Sequence, residues 1–379
     1  MNADVYFMDL TATSRENLPT KLNRLVKKAG IKKVLSKNDL VAVKIHFGEQ
    51  GNTAFIRPIY IRQLIQTIRE TKATPFLTDA NTLYVGSRSD AVSHIRTAIE
   101  NGFSYSSMDG APVIIADGLL GKSETPVQVD MKHCNTVYIG SEIVSANGLI
   151  SVAHFKGHGL SGFGGTLKNL GMGCASRRGK LEQHSNVSPK IKRKTCIGCG
   201  QCVEHCPEQA ITLNEKKAYL NKDLCIGCAE CIVRCPTKSI NINWNQSIPV
   251  FLEKMMEYTL GVLKNKTGKS LFINFITDIA PKCDCLSYTE TPIVSDIGVV
   301  VSTDPVAIDQ ASADLVNNQM GLPGSILKCN LAPGEDKFKG LYPDVDWEHQ
   351  LEYAEKIGLG TRKYTLKKIK TLAYKNTGH

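Results

Sequence analysis

Four thiols within eleven residues are the densest chemistry in this 379-residue chain: Cys196, Cys199, Cys202 and Cys206 follow C-x2-C-x2-C-x3-C and are closed by Pro207. A second copy supplies Cys225, Cys228, Cys231, Cys235 and Pro236 at the same internal spacing, and "SINI" after it answers "AITL" after the first. Three thiolates on one short loop can hold three corners of an iron–sulfur cube, and in the two-cluster pattern the fourth Cys of each run reaches across to the other cluster. That assigns Cys196, Cys199, Cys202 and Cys235 to one [4Fe-4S] cluster, and Cys225, Cys228, Cys231 and Cys206 to a second. Gly198, Gly200 and Gly227 carry no Cβ, so the backbone can fold closely around inorganic sulfur and aim N–H groups at an anionic cluster. The chemistry expected is low-potential transfer of single electrons.

Residues 193–242 resemble a bacterial-type two-cluster ferredoxin, in every ligand and in both prolines. A zinc ribbon also uses paired C-x2-C knuckles, but it needs only four sulfurs per metal and leaves the third and fourth Cys of each run without a role. Thiolate ligation points to a reducing compartment, and the expected location is cytoplasmic. The N-terminus has no basic stretch followed by a long apolar one, and no run approaches the ~20 apolar residues of a membrane helix. The formal charge of +10 falls to roughly +6 once two clusters of about −2 each are counted. "KIKRK" ahead of the first Cys run and "TRKYTLKKIKTLAYK" near the C-terminus read as solvated faces, or as docking surface for an acidic, soluble redox donor protein. No alternation of aromatic and basic residues suggests nucleic acid.

A second constellation lies in "HFKGHGLSGFGGTLKNLGMGC", residues 154–174. Here Lys168 and the loop around Gly164 and Gly165 are candidates to hold an anionic substrate or its developing charge, with His154 or His158 as acid or metal ligand. Lys44, His46 and Asp79 end other expected strands and could line the same crevice. The plainer reading is a tight Gly turn, a surface lysine, histidines that satisfy backbone groups, and Asp79 as a turn cap. Known fingerprints fail: Asn169 follows Lys168 where a P-loop needs Ser or Thr, Leu167 breaks G-x-G-x-x-G, and Phe155 stands where a zincin needs Glu. Cys283 and Cys285 form a C-x-C pair that, with Cys174, could make a third metal or redox centre. On an extended strand that pair would point to opposite faces, so the centre requires a bend after Pro281. Cys134 and Cys329 read as ordinary thiols.

Positioning these groups requires a scaffold. The length suggests about two or three domains by the ~150-residue prior, and 42% hydrophobic and 22% charged residues are ordinary for a globular chain. "DVYFMD", "LVAVKIHFG" and the stretch ending at Asp79 read as strands alternating with helices, one over 18–28 and one opened by Pro58. "APVIIADG", "NTVYIG", "GLISVAHF", "SLFINFITD" and "DIGVVVST" add strands, and Asp304 with Pro305 starts a further helix. The fold class expected is α/β: a mostly parallel sheet domain in two parts, 1–190 and 244–379, interrupted by a ferredoxin-like insertion over 191–243. "VAVKIHFGEQGN", "FLTDANTLY", "HFKGHGLSGFGGTLKNLGMG" and "STDPVAID" together resemble the family called domain of unknown function 362. Its members often carry a ferredoxin module here, and its name records chemistry without an assignment.

Two function classes follow. One is a ferredoxin-type reductase, passing electrons from two clusters to a substrate or metal in the α/β crevice. The other is a non-catalytic electron carrier, or a metal-handling or maturation factor. A bare carrier needs only about 50–60 residues, so the additional chain implies a ligand. No flavin or nicotinamide site is legible.

Overall fold

The computed structural model describes residues 2–184, 188–242 and 247–372. Seven strands form the central sheet: β1 (Ala3–Asp9), β2 (Leu40–Ile45), β3 (Thr74–Thr78), β4 (Gly148–His154), β5 (Ser270–Ile276), β6 (Gly298–Ser302) and β7 (Tyr364–Lys368). Their order is β7-β1-β6-β5-β4-β2-β3. The pairs β5–β4, β4–β2, β2–β3 and β1–β7 are parallel, whereas β6 runs antiparallel to both neighbours. The sheet is mainly parallel, as expected. The direction of β6 was not in the pattern, because an apolar run buried on both faces looks the same either way.

Side-chain alternation divides the core. Ala42, Leu149, Phe272 and Val300 face one side, and Val43, Ile150, Val152 and Ile273 the other. The second face is covered by α1 (Leu18–Lys28) and α2 (Pro58–Arg69) through Leu22, Leu25, Ile61 and Leu64. Asn17 caps α1 by accepting from the Thr20 N–H, and Pro58 opens α2. On the first face lie α3 (Thr166–Gly171), with α4 (Arg177–His184) packed against α5 (Ile248–Leu263), and α6 (Pro305–Asn317). Asp304 caps α6 as expected, accepting from the N–H groups of Val306 and Ala307. α3 and α5 cross so closely that a Cβ on Gly171 would sit 2.1 Å from the Met255 carbonyl oxygen.

Two expectations are corrected. "APVIIADG" is no regular strand: it touches β3 through one bridge, Leu77 to Val113, and Pro112 has no N–H with which to extend a ladder. "NTVYIG" is a strand, but Thr136–Gly140 pairs with Glu124–Gln128 in a separate hairpin. The basic C-terminal run contains edge strand β7, parallel to β1, and its residues beyond 372 lie outside those described.

Residues 188–242 form a small lobe with a core of its own, including Ile211, Ala218, Ile232 and Ile240. Its two ends pair with each other, Lys190–Ile191 against Ile240–Asn241. The expected boundary at 190/191 therefore falls inside this clasp, and the one at 243/244 lies outside the described residues. The repeat seen in the cysteines extends to the backbone. Left-handed residues recur at equivalent places: Gly198 and Gly227 (φ 70° and 71°), Gly200 and Ala229 (79° and 60°), Gln209 and Lys238 (48° and 52°).

Candidate functional site

In open α/β sheets ligands bind outside the carboxyl ends of the strands. Here β2, β3 and β4 end at one edge, where a cavity is lined by Lys44, His46, Asp79, His154, His158, Gly164, Gly165, Lys168, Cys283 and Cys285. Distant stretches of sequence thus meet at one place. Cys174 does not line it; its Sγ lies buried, 3.8 Å from the Asn169 carbonyl oxygen. The expected trio of Cys174, Cys283 and Cys285 is therefore not assembled. Among the described residues no three His, Cys, Asp or Glu side chains close on a point as donors to a single ion would.

The cavity is basic, and most of its cations are anchored. Lys44 Nζ lies 2.9 Å from Asp79 Oδ1 and 2.8 Å from Asn169 Oδ1. Although burial alone would raise it, Lys44 and His94 hold the Asp79 carboxyl well below the usual range. Arg88 contacts Glu49 at 3.1 Å and Asp79 at 3.7 Å. Lys156 contacts Asp284 at 3.2 Å. Lys168 has a different neighbour, Cys283 Sγ at 3.7 Å. Burial would lower its pKa, but Cys283 and Cys285 outweigh that and raise it, so it is a standing cation. Lys180 is pushed down to about 8 by burial, with Asp117 and Asp79 opposing.

The histidines divide by their hydrogen bonds. His154 has both ring nitrogens engaged, Nδ1 with the Asp284 carboxylate at 2.9 Å and Nε2 with the Thr277 carbonyl oxygen at 2.8 Å. It braces the loop after β5, and neither nitrogen is left to act as acid or metal ligand, contrary to expectation. His158 Nδ1 accepts from the Ser161 N–H at 3.2 Å, which places the ring proton on Nε2. Burial and then Lys168 push His158 well below the ordinary range, so it is a neutral N–H donor. His46 Nδ1 accepts from the Gly48 N–H at 3.0 Å, and burial and then Arg88 lower its pKa strongly.

The glycine loop serves a purpose other than the one expected. Asp309 of α6 accepts from the N–H groups of Thr166 and Leu167 at 2.8 and 2.9 Å. A Cβ on Gly165 would sit 2.4 Å from Asp309 Oδ1. Glycine there admits this carboxylate, so the amides that open α3 are already satisfied.

After Pro281 the chain leaves the extended conformation, and the Leu286 N–H closes a turn on the Cys283 carbonyl oxygen at 3.1 Å. The bend that a joint Cys283/Cys285 site requires is present, and the Cys285 N–H lies 3.4 Å from Cys283 Sγ. The Cys285 thiol, with Lys168 and Lys156, holds Cys283 well below the usual thiol range, while Cys285 is driven well above it.

The eight remaining predicted ligands fall into two quartets. Cys196, Cys199, Cys202 and Cys235 line one small cavity, and Cys206, Cys225, Cys228 and Cys231 line another. In each, the fourth sulfur comes from the other run. The Ala210 N–H points at Cys206 Sγ and the Ser239 N–H at Cys235 Sγ, both at 3.2 Å. Soft sulfur donors around an apolar space, with N–H groups aimed at them, fit a sulfur-bridged anionic cluster better than a single zinc ion held at ~2.3 Å.

One helix joins lobe and cavity. Lys180 and His184 of α4 line the cavity, whereas Leu181 packs in the lobe core beside Cys202 and Cys231. Leu83 does both. Arg177, on the same helix, meets the fully buried Glu230 of the lobe at 3.3 Å, and Glu230 also pairs with Lys122 and Arg234. Sequence reading missed Arg88, Lys156, Lys180 and Asp284. Lys156 was within reach, because alternation over "HFKGH" puts it on the face of His154 and His158.

Fold and site together define an α/β protein with a basic cavity at its strand ends and a cysteine-rich lobe at the rim. Residues 41–314 match the family described as Domain of unknown function (DUF362), and the chain belongs to that family. No curated protein matches it in sequence. Among solved structures it is similar to the lactate racemase apoprotein from Thermoanaerobacterium thermosaccharolyticum, at 10% identity and TM-score 0.36 over 73% of this chain and 51% of that one. It is also similar to a Thermotoga maritima protein, at 8% identity and TM-score 0.38 over 89% and 58%. The chain thus spans little more than half the length of these structures. No helix among the described residues is long and apolar enough to cross a membrane.

Proposed function

We propose that this chain is an iron–sulfur electron-transfer protein that reduces an anionic small molecule. Cys196, Cys199, Cys202 and Cys235 would hold one [4Fe-4S] cluster and Cys225, Cys228, Cys231 and Cys206 the second, which when bound supply single low-potential electrons. The observation that carries the reading is the shared wall: Leu83 and α4 belong both to the core around the cysteine quartets and to the lining of the basic cavity. A bare electron carrier leaves that cavity without a purpose. Lys168 holds the negative charge of the ligand, His158 offers Nε2–H to charge that develops on it, and Phe251 and Leu83 exclude water. The exposed residues Lys192, Arg193 and Lys194 beside the first quartet suit an acidic soluble donor.

Protein purified without oxygen is expected to carry about eight iron and eight labile sulfide per chain. Cys202→Ser loses iron preferentially from one quartet, and Cys134→Ser keeps it. Stoichiometric zinc without visible charge-transfer absorption would sink the proposal.

A further inference from the structure

Cys283 and Cys285 take no part in either quartet, yet both line the cavity. The turn that presents them is pinned from behind, since the side chain of Asp284 between them is held by His154 at 2.9 Å and Lys156 at 3.2 Å. The two cysteines share one backbone contact, Cys285 N–H to Cys283 Sγ at 3.4 Å, and Lys168 Nζ lies 3.7 Å from the same sulfur. An ammonium beside a thiol stabilises its thiolate, which is the attacking form. A second thiol two residues on, turned to the same side, is placed to resolve what the first attacks.

We infer that Cys283 and Cys285 are a thiol–disulfide couple that exchanges two electrons with a ligand in the cavity, and that the ligand class is an anionic small-molecule disulfide. The Cys283 thiolate attacks one sulfur of the substrate, forms a mixed disulfide and expels the other half as a thiolate. Cys285 then attacks Cys283 Sγ, gives its proton to an expelled thiolate and releases the second half. The substrate has gained two electrons, and the pair is left as Cys283–Cys285 disulfide. Its return to thiolate and thiol takes two electrons and one proton. The electrons come from a low-potential one-electron donor, for which this inference rests on the reading of the quartets above. Lys168 keeps the anion and the attacking sulfur together, and the neutral His158 leaves the thiolate its charge.

The test equilibrates the intact protein, without oxygen, in graded mixtures of glutathione and glutathione disulfide, followed by N-ethylmaleimide and peptide mass mapping. Cys283 and Cys285 are expected to lose both alkylation sites together, with the peptide two hydrogens lighter. Cys285→Ser traps glutathione on Cys283 instead, and Lys168→Met slows alkylation of Cys283 at neutral pH about tenfold. Alkylation of both thiols at every ratio, or pairing of Cys283 with Cys174, overturns the couple whether or not iron is present. The electron supply is read separately, by photoreducing the iron and repeating the mass map. A disulfide that forms but survives full reduction of the iron leaves the couple standing and overturns the reductase reading.

Discussion

Replacing Lys168 with Met removes the ammonium of the cavity that faces a thiol where Lys44, Arg88 and Lys156 face carboxylates. A unit charge about 4 Å from an anion contributes about 4 kcal/mol at an effective dielectric near 20. Lys168 is half-buried, and screening near the cavity mouth reduces this to about 1.4–2.8 kcal/mol, a loss of roughly 10- to 100-fold in affinity. Stability should change by less than about 1 kcal/mol, or ~2 °C in Tm, because the side chain supports no buried carboxylate. Calorimetric titration with inorganic sulfate at low ionic strength, beside a melting curve, measures both quantities. Unchanged sulfate affinity with a large fall in Tm would make Lys168 a structural strut and remove the basis for an anion site.

The pH dependence of the same titration tests Lys180. It is charged below about 8 and neutral above, so sulfate affinity should be high at pH 7 and fall as pH rises through 8, by roughly tenfold for one lost cation. Lys168 stays charged over that range, and His46, His158 and His184 stay neutral, so a flat profile removes Lys180 from the site. Glu230→Gln leaves the nearly fully buried Arg177 without its carboxylate. It should destabilise the seating of the lobe by about 3–5 kcal/mol, and a urea midpoint equal to the parent's would show that the pair does not hold the lobe.

The scaffold was largely legible because burial on both faces writes long apolar runs: β2, β4 and β5 were readable as strands from composition alone. Residues at strand ends were legible for the same reason, since Lys44 and His154 each follow an apolar run directly and Asp79 follows one after Thr78. Direction and partnership were not. The antiparallel β6 and the separate hairpin of Thr136–Gly140 depend on which strand lies alongside, and that information is not local. Arg88 and Lys180 come from a loop and from a short polar helix, where a charged residue is the ordinary expectation. The role of His154 was misread because a sequence shows which residues are near a site and not which of their atoms are already engaged. Asp309 shows the same limit: it lies more than a hundred residues from the amides it satisfies.

The clasp between Lys190–Ile191 and Ile240–Asn241 has a consequence for how such a chain came to exist. A lobe whose own ends are hydrogen-bonded together hangs from its host at one point, so the host sees a short loop in place of a tether of some fifty residues, and closing that loop takes little entropy. Among the described residues the lobe also meets its host through Glu230, which contacts Arg177 and Lys122, and through the packing of Leu83 and Leu181. Such a unit can be gained, lost or exchanged in evolution without re-registering a single strand of the sheet, provided the incoming module brings a carboxylate and a small apolar face to the same helix.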